Sequence, residues 1–181
     1  MESSKSNYFH NAILANRYKI ISKLDSGASS QVFKVLDEKT GETKVAKIFD
    51  DNERTLFSKE TKIYEIINRL NLPTNIKFYE SSIDDLLIND NIRKKMYIVL
   101  EYGSKGNLFD ALYKTKNGFT EDVCKYILLN ILNAVDALHK ESICHRDLKL
   151  ENIVLVGNNY DIKLNRENIK IIFPMKKKLI K

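Results

Sequence analysis

Two charged residues stand at positions where the hydrophobic pattern predicts burial. Glu60 falls on the apolar stripe of a predicted helix over about residues 53–70, and Lys47 lies mid-strand on the face of Val45 and Phe49. A buried carboxylate or ammonium is costly unless it is paired. One interpretation is a single ion pair that holds the ammonium toward the phosphate oxygens of a nucleotide. The other is that both side chains extend their charged ends into water.

A run of small residues joins the first two predicted strands. Residues 24–32 read L-D-S-G-A-S-S-Q-V, with Gly27 near the centre. Small side chains let backbone N–H groups approach phosphate oxygens closely, which favours a phosphate-binding turn. An ordinary Gly-Ser hairpin has the same composition, so the run is a weak signal by itself.

The segment 145–152 reads H-R-D-L-K-L-E-N and matches the pattern H-R-D-L-x-x-x-N, which is typical of the catalytic loop of protein kinases. Other features precede it in the family order: Val-Ala before Lys47, Glu60 on the next helix, and Y-I-V-L-E-Y-G at residues 97–103. From about residue 18 to residue 164 the chain therefore resembles the eukaryotic protein kinases. The lysine at position 149 is typical of the serine/threonine type.

This resemblance implies an ATP site. Lys47 would contact the α- and β-phosphates, and Glu60 would be its partner on the helix. The glycine-rich loop of the family has three glycines. Gly27 would be one of them, and Asp25 and Ser30 stand in the places of the other two. The remaining expected contacts lie around the adenine: Leu24, Val32 and Val45 above it, Val154 below it, the backbone of Glu101 and Gly103 at its edge, and Leu100 at the gatekeeper place.

The resemblance also implies catalytic roles within the segment 145–152. Asp147 would accept the proton of the substrate hydroxyl, and Lys149 would stabilise the transferred phosphoryl group. Asn152 would ligate one magnesium ion. The expected cofactors are ATP and Mg²⁺, and the expected partner is a protein substrate or docking partner. Asn107 stands where an acidic residue often meets the ribose.

The resemblance breaks at the place of the family's D-F-G motif, where residues 166–168 read R-E-N. Arg166 would repel the Mg²⁺ that an aspartate binds there, because both are positively charged. No activation segment or later helix of the larger lobe follows in the sequence. We therefore expect a kinase domain truncated before D-F-G and an inactive 181-residue chain.

Two explanations of this break stay open. In one, the chain is an incomplete or mis-framed product from an ATP-dependent serine/threonine kinase, whose full-length form transfers the γ-phosphate to a protein hydroxyl. In the other, it is a genuine short pseudokinase that binds nucleotide or a partner without catalysis.

The order of predicted strands and helices that carry these residues indicates an α+β fold. We expect a kinase-like N-lobe of five antiparallel strands and one helix, followed by the beginning of a helical C-lobe. β-prone runs predict strands at 18–23, 31–36, 44–49, 76–83 and 96–100, and the polar stretch 84–95 is predicted as an exposed loop. Two more strands are predicted at 153–156 and near 162–164. A second long helix should begin at a Thr120 cap and bury an apolar stripe: Val123, Ile127, Ile131, Val135 and Leu138.

The predicted domain organisation has three parts. Residues 1–16 form a flexible segment, residues 17–165 a partial protein kinase domain, and residues 166–181 a divergent basic tail. Within the domain we place the N-lobe at about 17–100, the hinge at 101–106 and the partial C-lobe at 107–165.

The formal net charge of +6 arises mainly from residues 174–181, which hold four lysines and no acid. No basic helix or interleaved aromatic motif accompanies them, which favours a solvated end over specific nucleic-acid binding. No stretch reaches the roughly 18 apolar residues of a membrane span. Cys124 and Cys144 lack metal-ligand spacing, and reduced thiols favour a cytoplasmic location, with a nuclear one left open.

Overall fold

The computed structural model describes residue 9 and residues 11–69, 76–156, 161–164 and 170–171. The chain divides into two compact units. The first draws on Met1–Lys62 and Lys77–Tyr102, and the second on Ile63–Ile76 and Gly103–Lys181. The boundary after Tyr102 falls inside the predicted hinge at 101–106.

The first unit is built on an antiparallel barrel. Its strands are β1 (Ile13–Leu14), β2 (Tyr18–Ser26), β3 (Ser30–Asp37), β4 (Thr43–Phe49), β5 (Phe78–Ile88) and β6 (Asn91–Glu101). They follow the order β1-β2-β3-β4-β6-β5, and β1 also pairs with β5, which closes the sheet. The five predicted strands are confirmed, and β1 is a sixth.

Alternate residues of these strands fill the barrel, because successive side chains of a strand point to opposite faces. Phe33, Val35, Ala46 and Val99 are at most 1% exposed. The complete buried cluster contains Ala12, Leu14, Tyr18, Ile20, Phe33, Val35, Ala46, Ile48, Leu86, Ile88, Tyr97 and Val99. Positions between these residues face outward, and they include Val32, Val45 and Lys47.

The expectation that residues 1–16 are flexible is wrong for strand β1. Ile13 pairs with Lys19 and Leu87, and Leu14 pairs with Tyr18 and Leu86. Leu14 is completely buried. A two-residue strand is too short to show an alternating pattern, so sequence periodicity gave no sign of it.

The predicted exposed loop at 84–95 is also wrong, because β5 and β6 form one long hairpin there. Its two-residue turn is Asn89-Asp90, with φ of 44° and 64°, a conformation that Asn and Asp tolerate in hairpin turns. Asp85 lies opposite Lys94, and their charged groups are 2.9 Å apart. Charged residues on the outward face concealed the alternation, while Leu86 and Ile88 on the other face are buried.

Helix α1 (Arg54–Arg69) confirms the helix predicted at about 53–70. Its residues before Ile63 belong to the first unit, and the residues from Ile63 onward belong to the second. Glu60 lies in the first part and is buried, whereas Ile63 and Ile67 join the core of the second unit.

The second unit contains the helices α2 (Leu108–Lys114) and α3 (Glu121–Lys140), a 3-10 turn (Leu150–Asn152) and four short strands: β7 (Ile143–Cys144), β8 (Ile153–Val156), β9 (Asp161–Leu164) and β10 (Lys170–Ile171). β8 pairs with β9 and β7 with β10, both antiparallel. The α+β class, with a helical segment after the sheet, is confirmed.

Helix α3 begins as predicted, with Thr120 Oγ1 accepting the N–H of Val123 at 3.5 Å. Leu138 of its predicted stripe is buried, whereas Val123 is 42% exposed. The other three stripe residues, Ile127, Ile131 and Val135, pack partly buried against the core. In the part of the chain that the structure describes, no helix is long and apolar enough to cross a membrane.

Candidate functional site

Lys47 and Glu60 form a buried ion pair in the first unit. Lys47 Nζ lies 2.9 Å from Glu60 Oε2 and 3.1 Å from Oε1. The two residues are 6% and 9% exposed. The prediction of an ion pair is confirmed, and the alternative with both charged ends in water is wrong. An ammonium has three N–H donors, so one carboxylate does not exhaust Lys47.

Strand register places several predicted nucleotide contacts on one face of the barrel. Val32 lies opposite Lys47, and Leu100 lies opposite Val45. Directly opposed residues of antiparallel strands share a face, as do residues two apart in one strand. Val32, Val45 and Lys47 therefore form one outward patch, with Leu100 beside it.

The turn between β2 and β3 approaches this patch from one end. The N–H of Gly27 donates to the Ser30 carbonyl at 2.9 Å and closes the turn. A Cβ built on Gly27 would meet only the Ser30 carbonyl oxygen, at 3.7 Å. The turn therefore does not need glycine for its conformation. Leu24 lies in the bulge between Lys23 and Asp25 and is 45% exposed.

Glu101 ends β6 and is fixed on both sides by Lys77. Its N–H donates to the Lys77 carbonyl at 2.9 Å, and its carboxylate accepts the Lys77 N–H at 3.0 Å. Because the Glu101 N–H is committed in this way, a backbone contact from Glu101 to adenine would have to use its carbonyl oxygen.

In the second unit, the segment 103–107 runs beside strand β8. Lys105 donates to the Leu155 carbonyl at 3.1 Å, and Leu155 donates to the Gly106 carbonyl at 2.8 Å. A Cβ on Gly103 would lie only 3.1 Å from Val154 Cβ, so a larger residue at position 103 would have to displace Val154 slightly. The structure thus brings Gly103 and Val154 together.

Asn107 has a structural task that the sequence analysis missed. Its Oδ1 accepts the N–H of Asp110 at 2.8 Å and caps helix α2, which was not predicted at all. The signal was present, because Asn is a favoured N-cap and the next residues form a short amphipathic turn. The cap uses Oδ1 of the side chain that stands where an acidic residue often meets the ribose in the family.

The segment 145–152 folds back so that its polar residues meet. Asn152 Nδ2 donates to both the carbonyl oxygen and Oδ2 of Asp147, each at 2.8 Å. Lys149 Nζ lies 3.4 Å from the same Oδ2. Arg146 adopts φ of 61°, and the 3-10 turn that follows carries Asn152 back toward Asp147. The structure therefore brings the three predicted catalytic residues into contact.

These residues differ in exposure in a way that suits chemistry at a surface. Asn152 is 6% exposed, whereas the side chains of Asp147 and Lys149 are 32% and 50% exposed. The buried amide fixes the carboxylate, and the carboxylate and ammonium can reach a ligand. The donated N–H groups of Asn152 orient its amide, whose oxygen Oδ1 suits a hard cation such as Mg²⁺.

No cluster of three or more His, Cys, Asp or Glu residues that could hold a metal occurs within the described ranges. Arg166, predicted to repel Mg²⁺, and the rest of 166–168 lie outside the described residues. Among the residues that are described, Asn152 is the predicted metal ligand, and its chemistry fits the ion.

A second ionic cluster in the first unit was not anticipated from the sequence. Arg17 Nε and Nη2 each lie 2.8 Å from a different oxygen of Asp37, and Lys44 Nζ lies 2.6 Å from Oδ2. Arg17 also contacts Glu80, which accepts the Tyr97 hydroxyl at 3.0 Å. Arg17 lies between β1 and β2, and the other four residues come from four different strands, so no local motif marks them.

The charges and burial of this cluster shift the pKa values of Asp37 and Tyr97 in opposite directions. The Arg17 hydrogen bonds, followed by those of Lys44, hold the pKa of Asp37 well below its ordinary 3.8, despite the opposing effect of burial. Burial, and then the charge of Glu80, raises the pKa of the Tyr97 phenol. The charges of this cluster neutralise one another inside the protein.

Comparison with known proteins agrees with the pattern in segment 145–152. The family model described as "Protein kinase domain" matches residues 18–171. The chain is 34% identical to calcium-dependent protein kinase 5 of Plasmodium berghei (strain Anka) over 139 aligned residues. These residues make up 77% of this chain and 23% of the relative. The chain is 30% identical over 163 residues to human NUAK family SNF1-like kinase 1, covering 87% of this chain and 23% of the relative.

A third relative is the probable serine/threonine-protein kinase fhkC of Dictyostelium discoideum. It is 32% identical over 144 residues, which cover 79% of this chain and 23% of the relative. The chain thus spans about a quarter of the length of these three curated relatives.

Proposed function

The chain belongs to the protein kinase family, and we propose that it carries the ATP-binding and catalytic-loop residues of a serine/threonine protein kinase. In this function the γ-phosphate of ATP passes to a serine or threonine hydroxyl of a protein substrate. The observation that carries the proposal is the convergence of Asn152 and Lys149 on one oxygen of Asp147.

Asp147 is the proposed proton acceptor. The donors from Asn152 and Lys149 both reach Oδ2 and would hold the carboxylate in place for contact with the substrate hydroxyl. As the hydroxyl oxygen bonds to the γ-phosphorus, the bond from this phosphorus to the β–γ bridging oxygen breaks and ADP leaves, while the hydroxyl proton passes to this carboxylate. Lys149 is half exposed and can neutralise an oxygen of the moving phosphoryl group.

Lys47 is the proposed contact to the α- and β-phosphates. Glu60 fixes the ammonium from one side, and the remaining N–H donor would reach a phosphate oxygen. Val32 and Val45 share the outward face of Lys47 and would cover the adenine. Mg²⁺ bound at Asn152 would neutralise phosphate charge.

A second candidate function is nucleotide or partner binding without catalysis, and Arg166 favours it. A cation at the place of the metal-binding aspartate would weaken Mg²⁺ binding, which phosphoryl transfer requires. We therefore expect little or no kinase activity from the 181-residue chain. We also propose a cytoplasmic or nuclear location, which is supported by the free Cys124 and Cys144.

The first test is nucleotide binding by the 181-residue chain, measured by titration calorimetry. Wild type should bind ATP, and Lys47→Met should weaken this binding about tenfold or more because a phosphate contact is lost. Lys39→Met is the matched control, since it removes the same charge from an exposed turn. Equal ATP affinity in all three proteins would contradict the phosphate role of Lys47.

The second test separates the two candidate functions. ATP affinity that is equal with and without Mg²⁺, together with no phosphate incorporation, supports binding without catalysis. Incorporation of phosphate into a generic protein substrate, abolished in Asp147→Asn, supports the enzyme and refutes the expected inactivity.

A further inference from the structure

Asp25 lies in the same row of side chains as Lys47. Strand register pairs Asp25 of β2 with Val32 of β3, and Val32 with Lys47 of β4. Opposed residues share a face of the sheet, and neighbouring strands are about 4.8 Å apart. A carboxylate therefore lies on the proposed phosphate-binding face, with its Cα about 10 Å from that of the lysine.

The carboxylate of Asp25 also occupies an amide of the turn. Its Oδ1 accepts the N–H of Ser26 at 2.7 Å, and the next N–H, that of Gly27, donates to the Ser30 carbonyl. In a turn of small residues, such N–H groups are the donors that would receive phosphate oxygens. Asp25 would thus compete with a phosphate oxygen for the N–H of Ser26.

Asp25 is exposed, so its carboxylate faces solvent and any ligand that enters from it. Its repulsion of a ligand grows with the number of phosphate charges and vanishes for an uncharged nucleoside. Asp25 would therefore weaken phosphate binding at the turn in two ways. Its charge repels the phosphate, and its carboxylate accepts the Ser26 N–H that a phosphate could otherwise accept.

We propose that Asp25 is a specificity-determining residue that selects against triphosphates relative to ligands with fewer phosphate groups. This inference rests on the proposed nucleotide binding and deepens it. The β2–β3 turn contributes little to phosphate affinity in the wild-type chain, and Lys47 carries most of it. The site consequently discriminates weakly between ATP and ADP, which both carry the α- and β-phosphates.

The test compares ATP, ADP and adenosine in calorimetric titrations of the complete 181-residue chain. Asp25→Asn removes the charge and keeps a hydrogen-bond acceptor, whereas Asp25→Ala removes both. Glu38→Gln is the matched control, because it removes one negative charge from the exposed turn at the far end of β3. Thermal unfolding of each variant checks that the fold is intact.

We expect Asp25→Asn to tighten ATP binding about three- to tenfold, ADP binding less and adenosine binding not at all. Asp25→Ala should give at least the same gain for ATP. The gain should shrink at high salt, since an exposed charge is screened. Glu38→Gln should change none of the three affinities.

An unchanged or weaker ATP affinity in both Asp25 variants overturns the inference, as does an equal gain for adenosine. If Lys47→Met still weakens ATP binding in that case, the proposed function stands and only the role of Asp25 is rejected. If neither wild type nor any Asp25 variant binds ATP or adenosine, both proposals fail.

Discussion

Lys44 and Lys47 are two buried lysines on the same strand, and their surroundings differ sharply. Lys44 Nζ lies 2.6 Å from Asp37, 3.4 Å from Glu42 and 4.1 Å from the ring centroid of Tyr79. Among the hydrogen bonds of the described residues, Lys47 Nζ donates to one carboxylate. Lys47 Nζ also lies 5.3 Å from the ring centroid of Phe49. The first ammonium thus meets two carboxylates and a ring, whereas the second meets one carboxylate and a ring and can still donate to a ligand.

The difference teaches how to separate a structural charge from a functional one. Burial of a lysine beside an acid is common to both sites, so burial alone does not identify function. The unused donor capacity does, because a buried ammonium whose donors are all engaged has nothing to offer a phosphate. Mutations that act on one cluster should therefore leave the other intact.

The largest effect is expected from Asp37→Ala. This change leaves Arg17 and Lys44 without their shared carboxylate, and breaking a buried pair costs about 3–5 kcal/mol. Urea denaturation should show this loss of unfolding free energy. The control Asp84→Ala removes a half-exposed carboxylate 4.0 Å from Lys94 and should cost at most about 1 kcal/mol. Equal losses in the two variants would show that the Asp37 cluster is not structural.

Two variants, Lys44→Met and Lys47→Met, test whether Lys44 acts on stability and Lys47 on ATP binding. Lys44→Met should lower the unfolding free energy by about 1–3 kcal/mol and leave ATP affinity unchanged. Lys47→Met should weaken ATP binding about tenfold, or ~1.4 kcal/mol. Both quantities are measured on both proteins. The distinction is lost if Lys44→Met weakens ATP binding as much as Lys47→Met does.

The stability contributed by Asp37 should depend on pH in a defined direction. Its pKa lies below the ordinary 3.8, so the ionised carboxylate stabilises the fold at neutral pH. That stabilisation is lost as the pH falls below about 3.8 toward the lower pKa of the folded state. The difference in unfolding free energy between wild type and Asp37→Asn should be constant above about pH 5 and shrink below it. A difference that stays constant down to pH 2 would contradict the lowered pKa.

The smallest expected effect distinguishes two glycines. Gly103→Ala forces a methyl group to within 3.1 Å of Val154 Cβ and should cost about 1–2 kcal/mol. Gly27→Ala meets only one atom, at 3.7 Å, and should change the unfolding free energy by no more than about 0.5 kcal/mol. Thermal or urea unfolding checks both. The reverse ranking would disprove the close approach at Gly103.

Several features could be predicted because their signals are local. The Lys47–Glu60 pair was one of two interpretations of two charges at positions predicted to be buried, and helix α1 followed from its periodicity. Strand β1 and the part of the β5–β6 hairpin at residues 84–95 could not be predicted in this way. Their pairing depends on partners elsewhere in the chain, and charged residues such as Asp85 and Lys94 conceal the alternation.

The sequence by itself determined which chemical groups are present, because a carboxylate, an amide and an ammonium at 147, 152 and 149 are matters of residue type and spacing. It also determined the two long helices α1 and α3, whose apolar residues recur at spacings of three and four. Only the tertiary structure decided that Asn152 donates a hydrogen bond to Asp147. The same holds for the ion pairs of Asp37 with Arg17 and Lys44. It also holds for the strand register that places Asp25 on the same face as Lys47. These arrangements depend on strand register and loop closure, which arise from contacts between residues distant in sequence.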